Sequence, residues 1–263
     1  MRAAPAAIQR WGNPVLKALI LGGTTQATAL ARRLAGHATV DATVSLAGRT
    51  KNPILPPLPT RIGGFGGVEG LAAYLTEQGI QAVIDATHPF ADQISANAAA
   101  ACARANVPLR LLTRPAWQAG PGDRWIAVPD MAAAALALRD LGDPVFLTIG
   151  RQEVAAFLAT PDKRYLIRAV DPPDPMPALP NATLILERGP FTVEAETALM
   201  QAHGVAVIVS KNSGGGATDA KLEAARRLGL PVVMVERPPG DGVAELPDVD
   251  AAVAWLEGMS DAH

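Results

Sequence analysis

Apolar residues run unbroken through Leu19-Ile20-Leu21, stop at Gly22-Gly23, and resume behind Thr24-Thr25 at Ala27, Leu30, Ala31 and Leu34. The first run predicts a buried strand; the second, spaced by three and four, predicts one face of a helix. A strand, a glycine turn and a helix in that order leave backbone N–H groups open at a helix N-terminus, a seat suited to pyrophosphate. Gly22 to Ala27 fits G-x-G-x-x-A except that Thr24 stands where a second glycine would let phosphate approach.

The pattern then repeats. Gly36 closes the helix and 38–46 reads as a second strand. A Pro-rich loop at 53–59 leads to a short third segment, the cluster Gly63-Gly64-Phe65-Gly66-Gly67, and a helix at 71–77. A fourth strand at 82–85 runs through Thr87-His88-Pro89 into a helix bearing Ile94, Ala98, Cys102 and Ala105, and 107–112 is a fifth strand. Such alternation predicts an α/β fold with a mainly parallel sheet covered on both faces. Gly120, Pro121 and Gly122 mark 116–123 as a hinge. Beyond it, strands are expected at 125–128, 145–149, 165–169, 183–186, 205–209 and 232–235. The expected organisation is a loose extension at 1–14, a first domain at 15–118 and a second at 119–263.

Composition narrows the class. The 263 residues are 49% apolar, enough for a large core, and a net charge of -2 with mixed signs gives no footprint for nucleic acid or a membrane surface. No stretch reaches the roughly 20 apolar residues of a membrane span. The first fourteen residues lack the apolar core of a signal peptide, so a cytoplasmic location is expected. Cys102, the single cysteine, lies in an alanine-rich run and reads as a small buried thiol, leaving no disulfide framework and no sulfur-rich metal site.

In open α/β sheets ligands gather at the carboxyl ends of strands. After the second strand the sequence offers Ser45, Arg49, Thr50 and Lys51 and no carboxylate, which favours NADPH over NADH. The glycines around Gly64 allow a ligand close to backbone. Pro89 suits a first helical position and holds His88 extended, aiming Thr87 and His88 into the crevice. In the second half, Gly150-Arg151 and Ser210-Lys211-Asn212-Ser213-Gly214 each follow a strand; the latter forms a nest of N–H donors beside an ammonium, a seat for carboxylate or phosphate. Arg114, Arg168 and Arg188 also stand near strand ends, and a polyanionic second ligand is expected if they converge.

The ordered set LILGGTTQA, SLAGR, GGFGG, DATHPFA, TRPAW, SKNSGG with TDAKLEAA, and PVVMVERP resembles the precorrin-6A reductases of cobalamin biosynthesis along almost the whole chain. Gln26 departs from the Glu expected there. The resemblance implies two Rossmann-like domains with a cleft between them, no metal and no flavin. It also implies NADPH-dependent reduction of one ring double bond of precorrin-6A, giving precorrin-6B. On that basis Gly22, Gly23, Thr24 and Thr25 would hold pyrophosphate, Arg49 and Thr50 the 2′-phosphate, and Thr87-His88 would border the nicotinamide. Arg114, Arg151 and the loop Lys211 to Gly214 would grip the acid-fringed macrocycle, with Lys211, His88 or water supplying a proton. A cofactor-free tetrapyrrole synthase of the uroporphyrinogen-synthase type and a non-catalytic nucleotide sensor are the competing readings. The oligomeric state stays open.

Overall fold

The computed structural model describes residues 15–48, 50, 53–216, 218–239 and 242–261. The first domain holds β1 (Leu16–Leu21), α1 (Thr25–Leu34), β2 (Val40–Leu46), β3 (Thr60–Ile62), α2 (Gly67–Glu77), β4 (Ala82–Asp85), α3 (Asp92–Ala105) and β5 (Leu109–Leu112). There follow β6 (Arg124–Val128), α4 (Met131–Ala137), β7 (Val145–Leu147), a 3-10 helix at Arg151–Ala159, β8 (Tyr165–Ala169) and β9 (Ala182–Leu186). The chain continues through α5 (Val193–Ala202), β10 (Val207–Lys211), α6 (Ala220–Leu228), β11 (Pro231–Val235), β12 (Glu245–Leu246) and α7 (Val249–Asp261). Most of these elements fall where the hydrophobic pattern puts them.

Every strand pairing is parallel, in two six-stranded sheets ordered β12-β5-β4-β1-β2-β3 and β6-β11-β10-β7-β8-β9. Both faces are covered, which is why central strands such as β4, β7 and β11 are almost wholly apolar rather than alternating. In β1, Leu16, Ala18 and Ile20 face a layer containing Leu30, Leu34, Val253 and Leu256, whereas Leu19 and Leu21 face Leu71, Leu75, Ala98 and Cys102. In the second sheet, Val145, Val207 and Val233 pack with Ala134 and Phe157, while Phe146, Ile208 and Met234 pack with Met200, Leu222 and Ala225.

The chain order and the sheet order disagree at one place in each sheet. β6 follows β5 in sequence yet extends the second sheet beside β11, and β12 follows β11 yet extends the first sheet beside β5. The second domain therefore does not run to the end of the chain as the expected 119–263 span has it. β12 and α7 return to the first domain, where Ala252, Val253 and Leu256 complete its core. A short parallel strand carries too little pattern to declare which of two sheets it will join.

The expected hinge is also docked. Trp117 donates its N–H to Asn212 Oδ1 at 2.8 Å and accepts from Asn212 Nδ2 at 3.0 Å, and its indole donates to Gly215 O at 3.0 Å. Asp123 takes both arms of Arg226 at 3.0 Å and the Gly120 N–H at 2.7 Å. Burial works to raise the Asp123 pKa, but the hydrogen bonds from Arg226 and Gly120 with the Arg226 charge hold it below the usual carboxylate range.

Leu256→Ala should cost about 2–5 kcal/mol of stability through the cavity it leaves. Native-state hydrogen exchange should show the loss in β1 and β4, with β10 and β11 protected as before; the reverse pattern would contradict the return of α7 to the first core.

Candidate active site

The turn after β1 is shaped by what stands behind it. A Cβ on Gly22 would come 3.0 Å from Val44 Cγ1 and 3.3 Å from Leu46 Cδ2, and Gly23 has φ +121, a conformation glycine adopts without strain. Thr24 caps α1: its Oγ1 accepts the Ala27 N–H at 3.2 Å and donates to Ala86 O at 2.7 Å, tying the turn to the end of β4. Thr24 thus offers a ligand its backbone rather than its hydroxyl. The N–H groups of Thr25 and Gln26 have no carbonyl one helical turn behind them and open onto the strand ends.

Beside this turn the parallel register sets Ser45 opposite Arg61. Arg61 lies 3.8 Å over the Phe65 ring and donates to Ser45 Oγ at 2.7 Å, Gly63 O at 2.9 Å and Gly64 O at 3.0 Å. A guanidinium is thereby fixed at the ends of β2 and β3. Gly64 serves it as an acceptor, and Arg49, expected to carry this charge, lies outside the described residues, as does Lys51.

A cleft of about 490 Å³ lies between the domains, with Thr50, His88 and Phe90 on one wall and Arg151, Arg168, Lys211, Ser213 and Lys221 on the other. His88 Nδ1 accepts the Phe90 N–H at 3.3 Å. Burial first, then the charges of Lys211, Arg114, Arg237 and Lys221, lower the His88 pKa to about 3, so its ring is neutral at physiological pH. A neutral imidazole accepting at Nδ1 carries its proton on Nε2 and acts as a hydrogen-bond donor, not as an imidazolium acid. Thr87 faces elsewhere: its N–H and Oγ1 donate to Asp85 Oδ1 at 2.9 and 2.7 Å, and it lines a smaller cavity of about 330 Å³ at the ends of β4 and β5.

In the second domain the expected residues divide. Arg151, Lys211 and Ser213 line the cleft; Lys211 pairs with Glu153 and its Nζ stands 5.0 Å over Phe90. Arg168 lines it too, pairs with buried Glu196 and stacks 3.7 Å over Phe191. Arg114, Asn212 and Gly214 are not on the wall. Arg114 donates to Ser213 O at 2.8 Å and Gln26 Oε1 at 3.2 Å, Asn212 holds Trp117, and a Cβ on Gly214 would meet Pro115 O at 2.1 Å. These three pack the loop against the segment that follows β5, and within the loop the Asn212 and Ser213 N–H groups donate to Val235 O and Lys211 O, each at 2.8 Å. Arg188 is likewise absent from the wall, and only Arg168 of the three strand-end arginines reaches it. Among the described residues no three His, Cys, Asp or Glu side chains gather to hold a metal ion.

Sequence reasoning missed Arg61, Arg237 and Lys221. Arg237 donates to Asn212 O at 2.8 Å and Ser213 O at 2.9 Å. Lys221 had a legible signal: with Ala224 and Ala225 it falls at i, i+3 and i+4, on the buried face of α6.

The family model described as precorrin-6x reductase CbiJ/CobK matches residues 17–257. A precorrin-6A reductase of Rhodococcus erythropolis is 54% identical over 240 residues, covering 90% of this chain and 96% of that protein. One of Rhodobacter capsulatus is 50% identical over 239 residues, covering 90% and 94%. A solved structure titled CobK precorrin-6A reductase superposes with a TM-score of 0.87 at 48% identity, over 93% of this chain and 97% of that one.

The His88 ring should stay neutral in an NMR titration from its ordinary 6.5 down towards about 3. Over that interval acid protonates the unfolded chain and not the folded one, so this group makes stability fall as pH drops below 6.5 and has no effect above it. A His88→Gln variant should lose that part of the acid sensitivity in denaturation curves.

Proposed function

We propose that this chain, which belongs to the precorrin-6x reductase family, reduces precorrin-6A with NADPH as its hydride donor. The enzyme is an oxidoreductase acting on a CH–CH group, in cobalamin biosynthesis. The choice of NADPH rests on one observation. Where an NAD site presents a carboxylate to the ribose hydroxyls at the end of β2, this chain presents Ser45 with Arg61 locked against it. A guanidinium beside a hydroxyl suits a 2′-phosphate and not a bare ribose.

The glycine turn fits the rest of a dinucleotide. Close packing behind Gly22 and the positive φ of Gly23 draw the chain tightly onto the N-terminus of α1, where the Thr25 and Gln26 N–H groups and the helix dipole would hold pyrophosphate. When bound, the cofactor supplies the hydride. Arg61 and Ser45, with Thr50 on the cleft wall, would hold the 2′-phosphate. His88 would offer its Nε2 proton as a hydrogen bond, orienting a neighbouring polar group without giving that proton up. Arg151, Lys211 and Ser213 would receive the macrocycle's carboxylates across the cleft, Lys211 exchanging part of its pairing with Glu153 for a substrate carboxylate. Fixing two large ligands face to face and excluding water between them accounts for most of the rate in such chemistry.

Anaerobic mixing with precorrin-6A and NADPH should bleach the dihydronicotinamide band in step with a change in the tetrapyrrole spectrum; binding of both without either change would leave a nucleotide sensor. Arg61→Ala should weaken NADPH binding in calorimetry by about tenfold to a hundredfold, the range of a charge-assisted hydrogen bond, and leave NADH binding as it was. Equal losses for both nucleotides would remove the 2′-phosphate from Arg61.

A further inference from the structure

Adding a hydride to one carbon of a double bond leaves an electron pair that its neighbour must close with a proton. Of the groups first considered for this, neutral His88 has no acid form to spend near pH 7, and Lys211 is held by Glu153. A second lysine lines the same cleft. We propose that Lys221 protonates the substrate, its Nζ giving a proton to the atom beside the carbon that takes up the hydride. The neutral amine left behind regains a proton from solvent. This rests on the reading that precorrin-6A is reduced in this cleft.

The placement carries the argument. Lys221 is 5% exposed, in the first turn of α6, and lines the cleft opposite His88. Its Nζ donates to Thr218 O at 2.7 Å and lies 5.0 Å over the Trp117 ring. Among the described residues that carbonyl is its single hydrogen-bond acceptor, and no carboxylate lies within ion-pair distance. An ammonium has three donors, so the others are left to the cleft. Glu196, on α5, is committed to Arg168 in a two-armed pair. The Trp117 ring beneath Lys221 is itself fixed, pinned at three points to the loop after β10.

The charges around it set a useful acidity. Burial first, then Arg168 on β8, lower the Lys221 pKa to about 7 against the opposing pull of Glu196 and Asp219, and Arg114 adds to the lowering. A general acid works best when its pKa lies near the working pH. Lys221 is present in its acid form at and below neutrality, and that form is lost as pH rises.

The test uses the full-length enzyme. With lysines labelled at Cε, an NMR titration of the wild type alone should show one lysine changing charge near pH 7, a signal lost in Lys221→Arg. In anaerobic single turnovers with precorrin-6A and NADPH, the wild-type rate should fall as pH rises through that range, with a solvent deuterium effect. Lys221→Arg keeps the charge but is too weak an acid, and should bind precorrin-6A with unchanged affinity in calorimetry while reducing it about a hundredfold more slowly or worse. Lys221→Met should be as slow, without the pH dependence. A wild type whose lysines all titrate at ordinary values, or variants that keep the wild-type rate and pH profile, would overturn the proposal. So would variants that lose precorrin-6A affinity while the bound rate survives, for Lys221 would then be a carboxylate anchor. A wild type that turns over with a pH-independent rate counts against Lys221 alone; one that binds both compounds without reaction overturns the substrate reading as well.

Discussion

Two arginines converge on the carbonyl oxygens of Asn212 and Ser213, and the relation between the domains depends on them. Arg114 follows β5, on the chain's first passage out of the first domain; Arg237 follows β11, on its way back. Arg114 Nε and Arg237 NH2 both donate to Ser213 O, at 2.8 and 2.9 Å, and Arg237 Nε donates to Asn212 O at 2.8 Å. Burial lowers the pKa of both guanidinium groups, and for Arg114 the nearby Arg237 charge adds to this. Two like charges are tolerated at such proximity because each faces carbonyl dipoles that take up its donors. The loop they grip begins at the end of β10, so both crossings are fastened to one strand end. Arg114 NH1 reaches on to Gln26 at the mouth of α1, which joins the clasp to the glycine turn.

Burial sets the main shifts in the cleft, and the same fastening adds to them. The clasp buries two positive charges that both act on His88, and one of them, Arg114, acts on Lys221 as well. Cations that serve a structural end thus suppress protonation of a histidine and ease deprotonation of a lysine. Arg168 contributes in the same sense to Lys221, and its pairing with Glu196 and stacking on Phe191 keep it in place without a ligand. On this wall of the cleft Arg168 is therefore preorganised, with little side-chain entropy left to lose.

What the sequence revealed and what it withheld follow from the range of the interactions. The glycine turn and the strand and helix positions are local, set by residues within a turn or two of one another, and were legible. The buried faces of α1 and α3 follow from spacing alone. Arg61 was not legible because its partner is chosen by the β2–β3 register, across a loop whose length says nothing of pairing. That Asn212 holds Trp117 and that Gly214 lies close against Pro115 was not legible either, for both contacts are far off in sequence. The return of β12 was invisible for a similar cause: Leu246 belongs to a strand of two residues, and both sheets offer the same parallel edge.

That return bears on how the chain is made. Translation delivers β1 to β5 early, but the edge beside β5 and the layer formed by Ala252, Val253 and Leu256 arrive only with the last helix. The nascent first half leaves the ribosome with apolar surface uncovered on one face of its sheet, and the second half must finish before that surface is sealed. Ordinary tandem domains mature in the order of their synthesis. Here the opening half is completed last, sealed only when α7 docks on its sheet.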